Sequence, residues 1–136
     1  MAYRQAVLRD PSNAAARRRL AGTFIALERY DEARYNLDKA LQSEPGHGWA
    51  QAHMGYCLHK LGEENKALVH YQRAVEIAPQ DTKYKTWLAA SLLKLGNAGE
   101  AQRHFKEVLA KEPGNKTARR GLRFAEQTLR QARKSD

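Results

Sequence analysis

The sequence predicts an all-α protein built as an array of stacked antiparallel helix hairpins. Three observations carry this. The four prolines, Pro11, Pro45, Pro79 and Pro113, stand 34 residues apart. Other columns keep the same period without insertion or deletion: Leu20, Met54, Leu88 and Leu122; Ala33, Ala67 and Ala101; Tyr3, Leu37, Tyr71 and Phe105; Ala6, Ala40, Ala74 and Val108. Within each period the apolar residues recur at helical intervals. A fixed period of this length means one supersecondary unit repeated and stacked, because a single unit cannot bury its own apolar face.

The chain opens on "YRQAVLRDP", which is echoed by "YNLDKALQSEP", "YQRAVEIAP" and "FKEVLAKEP". Residues 1–13 therefore read as the second helix of a partial repeat, and the chain is expected to be a fragment of a longer array. Three full repeats follow at 14–47, 48–81 and 82–115, then a terminal helix at 116–134, all within one domain, 1–136. In the middle repeat, "AQAHMGYCLHKLG" places Ala50, Met54, Cys57, Leu58 and Leu61 on one helix, and "NKALVHYQRAVEIA" places Ala67, Leu68, Tyr71, Ala74 and Val75 on the next. Gly62 and Gly96 suit the left-handed residue that ends a helix and opens a tight turn. Each proline closes the link between units, with Ser12 or Asn13, Asp81 or Thr82, and Asn115 as caps of the following helix. Ala21, Gly55 and Ala89 are small where the first helix lets the second approach. In the last helix Arg123 and Glu126 stand where the earlier repeats have small and apolar residues, so it is expected to be a cap with a polar outer face.

With these residues in place the chain resembles the tetratricopeptide repeat family, whose 34-residue hairpins carry a Leu, small, aromatic, Ala, aromatic, Ala, Pro pattern. The resemblance spans essentially the whole chain and implies a right-handed superhelix. The sequence departs from the family at the tryptophan early in the first helix, where it has Arg17, Gln51, Lys85 and Arg119, a position expected to tolerate exposure.

Composition sets further bounds. The chain has 136 residues, 42% of them apolar and 29% charged, which places it among folded soluble domains. Apolar runs such as "LAASLL" fall far short of a membrane span, and no leader pattern or membrane insertion is expected. One cysteine, Cys57, forbids an internal disulfide and leans toward a reducing, cytoplasmic compartment, although localisation stays open. Of the net charge of +9, residues 116–136 supply +5, from seven Lys/Arg against two acids.

No catalytic, cofactor or metal constellation stands out, so the reading is not an enzyme. His53 and His59 lie six apart and point opposite ways on a helix. His70 and His104 share a column expected to be solvated, and Cys57 shares one with Thr23, Ser91 and Ala125, which makes it a buried structural thiol. "LGEENKA" and "LGNAGEA" are hairpin turns rather than phosphate loops.

The resemblance implies that first helices line a concave face that binds an extended peptide or a helix. On those columns lie Ala15, Ala52, Thr86 and Gly121, among others, and the candidate site residues Arg18, Arg19, Trp49, His53, Tyr56, Lys60, Lys83, Trp87, Lys94, Arg120 and Phe124. The 24 lining positions carry six Lys/Arg and no acid, and both tryptophans. Exposed aromatics concentrate binding energy, and neighbouring cations select a carboxylate or phosphate. The competing reading has Trp49 merely packing on the loop around Gly46 and Gly48. A sub-family that clamps chaperone C-terminal carboxylates uses Lys, Asn, Asn, Lys and Arg in columns that here hold Arg18, Gly22, His53, Lys83 and Trp87, of which two fit. The leading expectation is a scaffold binding an acidic or C-terminal peptide of a protein partner. Two alternatives stand beside it. One is nucleic-acid or anionic-surface binding through the basic last helix, and the other is a scaffold segment of a larger enzyme or secretion component. Self-association through the Tyr3, Val7 and Leu8 end is a further expectation.

Overall fold

The computed structural model describes residues 2–135. Among these there are eight α-helices and no strand. The helices are α1 (Ala2–Arg9), α2 (Ala14–Ala26), α3 (Tyr30–Ser43), α4 (Gly48–Lys60), α5 (Glu64–Ile77), α6 (Thr82–Lys94), α7 (Ala98–Lys111) and α8 (Lys116–Ser135). The chain divides between Ile77 and Ala78 into two compact units. In the first, α1 packs on α2, α2 on α3, α3 on α4 and α4 on α5; in the second, α6 packs on α7 and α8 on both.

Local chemistry starts and stops these helices where the period requires. Asn13 accepts a hydrogen bond from the Ala16 N–H at 3.0 Å, Asp81 from Tyr84 at 3.0 Å and Asn115 from Ala118 at 3.0 Å, each satisfying a donor the helix leaves open. Ser12 binds Asp10 instead. His47, one period after Asn13, also caps: its Nδ1 accepts from the Ala50 N–H at 3.2 Å. The hairpin turns close by the paired bonds of the Schellman motif. Glu63 N–H donates to Leu58 O and Asn97 N–H to Leu92 O, both at 2.8 Å, across Gly62 and Gly96 at φ 82° and 88°. The first hairpin makes the same turn through Glu28 at φ 58°.

The cores are made by small residues meeting aromatic ones. Ala21, Ala33, Ala67, Ala89 and Ala101 are wholly buried. A methyl placed on Gly55 would come within 2.7 Å of the Tyr71 ring, and one on Gly121 would collide with the Phe105 ring. Gly121 is therefore a packing position of α8 against α7 rather than a lining one. Cys57 is fully buried, and burial pushes its thiol up to about 12, which leaves it protonated and inert.

Two expectations about surface positions are corrected. The column expected to tolerate exposure is buried at Arg17 and Gln51, because each side chain turns back to hold the carbonyl of the proline six residues earlier. Arg17 Nε donates to Pro11 O at 2.7 Å, Gln51 Nε2 to Pro45 O at 2.8 Å and the exposed Arg119 Nε to Pro113 O at 2.9 Å. Lys85 pairs with Glu107 instead, at 3.1 Å. His70 and His104 are not solvated but half-buried, and burial lowers both below the usual histidine value. The reason for His70 is the same column: its Nδ1–H donates to Gln51 Oε1 at 2.8 Å, which draws the ring inward.

Candidate functional site

The candidate residues fall into clusters that each unit supplies from its own helices. In the first unit, Trp49 sits one residue into α4, just past the His47 cap, and its ring stacks on His53 at 4.0 Å and 20°. This is the i, i+4 neighbour on a helix surface. The His53 Nδ1–H donates to the Trp49 carbonyl at 2.8 Å, so in the neutral ring Nε2 keeps its lone pair. A methyl placed on Gly46 would meet nothing within 4 Å, the Trp49 indole included. The indole reaches over α2 instead, where a methyl on Gly22 would touch it at 3.8 Å. An alanine at Gly22 would therefore meet the ring only in ordinary van der Waals contact.

Around this indole opens a cavity of about 640 Å³, walled by Arg18, Arg19, Ala26, His47 and Tyr3. Arg18 is held at 2.6 Å by Glu44, and the Arg19 guanidinium lies 5.5 Å over the Tyr3 ring. His47 is lowered below its usual value by burial and then by Arg18, which suits its acceptor role as a cap. The surroundings are thus an apolar floor with two guanidinium groups at the rim. Two turns along α4, Tyr56 meets Tyr30 edge-on at 6.0 Å and Lys60 lies 5.5 Å over the Tyr56 ring.

In the second unit, Lys83 Nζ stands 4.8 Å over the Trp87 ring, with Tyr84 tilted beside it at 6.3 Å. Lys94 is exposed at the end of α6. Arg120 and Phe124 lie one turn apart on α8, and Phe124 is 59% exposed, high for a phenylalanine. Two lining positions do not open to the surface. Ala52 is wholly buried and Thr86 nearly so, its hydroxyl turned back to the Thr82 carbonyl at 2.7 Å, because these short side chains end below their neighbours.

Sequence reasoning missed His47, Tyr30 and Tyr3 as neighbours of these clusters. The 34-residue period already marks His47, since it stands in the column of Asn13, Asp81 and Asn115. A second hollow, of about 900 Å³, was not expected at all. It lies over Met54 and Leu58, between α3 and α5, and is bordered by Tyr35, Asp38, His70 and Arg73. Its charges are largely answered locally: Arg34 pairs with Glu63 at 2.5 Å and Asp31 at 3.1 Å, and Lys66 pairs with Glu63 at 3.1 Å. It therefore offers less selection by charge than the Trp49 cavity. No group of three His, Cys, Asp or Glu arranged to hold a metal occurs among the described residues. No helix of the structure is long and apolar enough to cross a membrane.

An array of 34-residue hairpins, each closed by the same Schellman turn, with basic aromatic clusters on its first helices, defines a helical-repeat protein. Two family models, both described as tetratricopeptide repeat, match residues 24–90 and 88–122, and the chain belongs to that family. It is similar to the small glutamine-rich tetratricopeptide repeat-containing protein 2 of Mycosarcoma maydis, 27% identical over 100 residues, covering 74% of this chain and 28% of that protein. It is also similar to the Hsp70-Hsp90 organizing protein 3 of Arabidopsis thaliana, 24% identical over 127 residues, covering 93% of this chain and 23% of that protein. The chain thus spans less than a third of the length of these curated relatives. Among solved structures, the first tetratricopeptide domain of Spaghetti (RPAP3) bound to the HSP90 peptide SRMEEVD matches with a TM-score of 0.82 at 23% identity, over 88% of this chain and 95% of that one. The MamA protein matches with a TM-score of 0.89 at 19% identity, over 94% and 70%. These likenesses show the fold, a tetratricopeptide solenoid of packed helix hairpins.

Proposed function

We propose that the chain is a non-catalytic interaction scaffold whose first helices take an acidic or C-terminal peptide segment of a partner protein. The observation that carries this reading is the cavity around Trp49, which sets an open indole and an apolar floor beside Arg18 and Arg19. Such a site can bury one apolar side chain of a peptide while an arginine fork takes a carboxylate, and the two together give both affinity and selection. Arg18 already holds one carboxylate, that of Glu44, so the geometry for a peptide carboxylate needs only an exchange of partner. Lys83 and Trp87 repeat the pairing of cation and indole in the second unit. The similar RPAP3 domain, solved with an acidic HSP90 peptide, supports a peptide as the ligand. With only Arg18 and Lys83 matching the chaperone-clamp columns, the ligand class is an acidic segment in general rather than the chaperone tails in particular.

An array of short peptides with free C-terminal carboxylates, half rich in Asp/Glu and half rich in Lys, tests the proposal. Acidic peptides are expected to be retained, and Trp49→Ala or Lys83→Glu is expected to weaken their binding about tenfold, or ~1.4 kcal/mol, with the melting temperature unchanged. Equal retention of both peptide halves, or variants that bind as the wild type does, would sink it.

A further inference from the structure

Helix α8 differs from every other helix in its charge. Its 20 residues carry Lys116, Arg119, Arg120, Arg123, Arg130, Arg133 and Lys134 against one acid, Glu126. At about 100° per residue these seven cations fall within one arc of about 140°, which Glu126 shares, and which runs for ~27 Å at 1.5 Å per residue. The opposite face is occupied: Ala118 and Ala125 are wholly buried, Leu122 and Leu129 are half-buried, and α7 packs there. Among the described residues none of the seven cations is paired with a carboxylate, and Arg119 spends only its Nε on the Pro113 carbonyl. Lys116, Arg119, Arg120 and Arg123 together wall a hollow of about 410 Å³ with no acid in it. Phe124 stands on the flank of the stripe, 59% exposed.

We infer that α8 carries a site for single-stranded nucleic acid, with phosphates taken by Lys116, Arg119, Arg120 and Arg123 and a base stacked on Phe124. Three features select this ligand over other anions. Five of the seven cations are arginine, whose planar fork matches a phosphate with two parallel bonds. The hollow on the stripe is walled by lysine and arginine side chains alone, whereas a protein partner needs an apolar centre to its interface and a phosphate backbone needs only a run of charge. A membrane surface would require an apolar face to sink into it, and the apolar face of α8 is already covered by its own unit. The single exposed ring beside the charges is the arrangement that single-strand binders use, a basic track with an aromatic on which an unpaired base stacks.

The site uses Arg120 and Phe124 for a ligand other than a peptide, and it shares no residue with the Trp49 cavity. The test is fluorescence anisotropy of a labelled single-stranded RNA about a dozen nucleotides long with the full chain over a series of salt concentrations. Three or four phosphate contacts give a log–log salt slope of about −2 to −3. Replacing Arg120 and Arg123 together with Glu is expected to lower affinity at least tenfold at low salt and to flatten that slope. The Arg120→Lys and Arg123→Lys pair keeps the slope and binds less tightly, because the charge survives while the fork is lost. Phe124→Ala weakens binding severalfold at every salt concentration without changing the slope. Thermal unfolding of all these variants should overlay the wild type, since the replaced side chains are exposed, and Trp49→Ala should bind RNA normally. The inference is overturned by an absence of RNA binding at low salt, or by undiminished binding of the Glu variant. Equal or tighter binding to polyglutamate, or to phosphatidylserine vesicles, would likewise overturn it by assigning the stripe to an acidic protein or a lipid surface.

Discussion

The first and second helices of the hairpins differ in charge more than in any other property. The first helices, α2, α4, α6 and α8, carry fourteen Lys/Arg and a single acid, Glu126, whereas α3, α5 and α7 carry seven of each sign. On the second helices the two signs neutralise one another locally, as Arg34 does with Asp31 and Arg103 with Glu100. On the first helices, Arg18 and Lys85 pair with Glu44 and Glu107, and among the described residues most of the other cations, Lys94 aside, have no such pair. Exposed pairs contribute little to stability, so an unpaired surplus confined to one helix of each hairpin is not there to hold the fold. The difference separates the parts: buried side chains of the second helices such as Tyr71 and Phe105 close the packing, while the first helices carry a surplus of positive charge that the packing does not use.

The largest effect expected from this division is on the second helices. Tyr71 is almost wholly buried and its ring lies against Gly55 of α4. Truncating it opens a cavity that Gly55 has no side chain to fill, so Tyr71→Ala should cost about 3–5 kcal/mol. Removing charge from Arg19 and Lys83 together with Gln should leave unfolding unchanged within about 0.5 kcal/mol. Urea denaturation of both variants decides the matter. A charge variant as destabilised as Tyr71→Ala would break the comparison.

Arg17 sharpens the comparison by being its exception. It stands on a first helix, yet it is buried, donates to Pro11 O and to Asn36 Oδ1 at 3.1 Å, and lies 5.8 Å over the Tyr35 ring. Asn36 in turn donates to the Glu32 carbonyl at 2.8 Å. Deleting a charged donor from a buried network leaves its acceptors unsatisfied, and Arg17→Ala should cost about 2–3 kcal/mol. Arg17→Gln should recover part of this, because Gln51 makes the same bond to Pro45 one repeat later. If Arg17→Ala unfolds at the same urea concentration as the wild type, the proline carbonyl needs no partner and the column is decorative.

Much of this was legible in the sequence, and what was not has a common cause. The period placed the hairpins, the Gly62 and Gly96 turns, the Asn13, Asp81 and Asn115 caps, and the burial of Cys57, because each depends on neighbours close in the chain or on a repeated column. Gly55 could be read as a close approach for the same reason. Arg17, Gln51 and Gly121 could not, since residue type argues for exposure in the first two and a groove column argued for it in the third. What decides them is a carbonyl six residues away or a ring on another helix, and no pattern of apolarity reports that. The same holds for the clusters. Trp49 and Trp87 were visible as large residues on a lining column, but the Trp49–His53 stack and the approach of the indole to Gly22 are products of side-chain direction.

The smallest effect concerns the histidines, which sit where the two kinds of helix meet. His70 on α5 and His104 on α7 are lowered chiefly by burial, against the raising influence of Asp38 on His70 and of Glu107 and Glu100 on His104; Arg73 and Arg103 lower them further. A base lowered in the folded state holds fewer protons than it does in the unfolded chain. Stability is therefore fully present above the ordinary histidine value of 6.5 and is lost as pH falls through the folded value. The melting temperature should begin to decline as pH falls through about 6.5, separately from any loss below 4.5, where Glu63, Glu107 and Glu112 begin to protonate in the unfolded chain. Replacing His70 and His104 with Gln keeps a neutral donor in each place and should flatten most of that decline. His47, which burial and Arg18 also lower, should contribute to the slope that remains. A doubly substituted chain whose melting temperature falls as steeply as the wild type would show that neither ring is held neutral by the hairpin. The half-buried column would then be as well solvated as its residue type suggests.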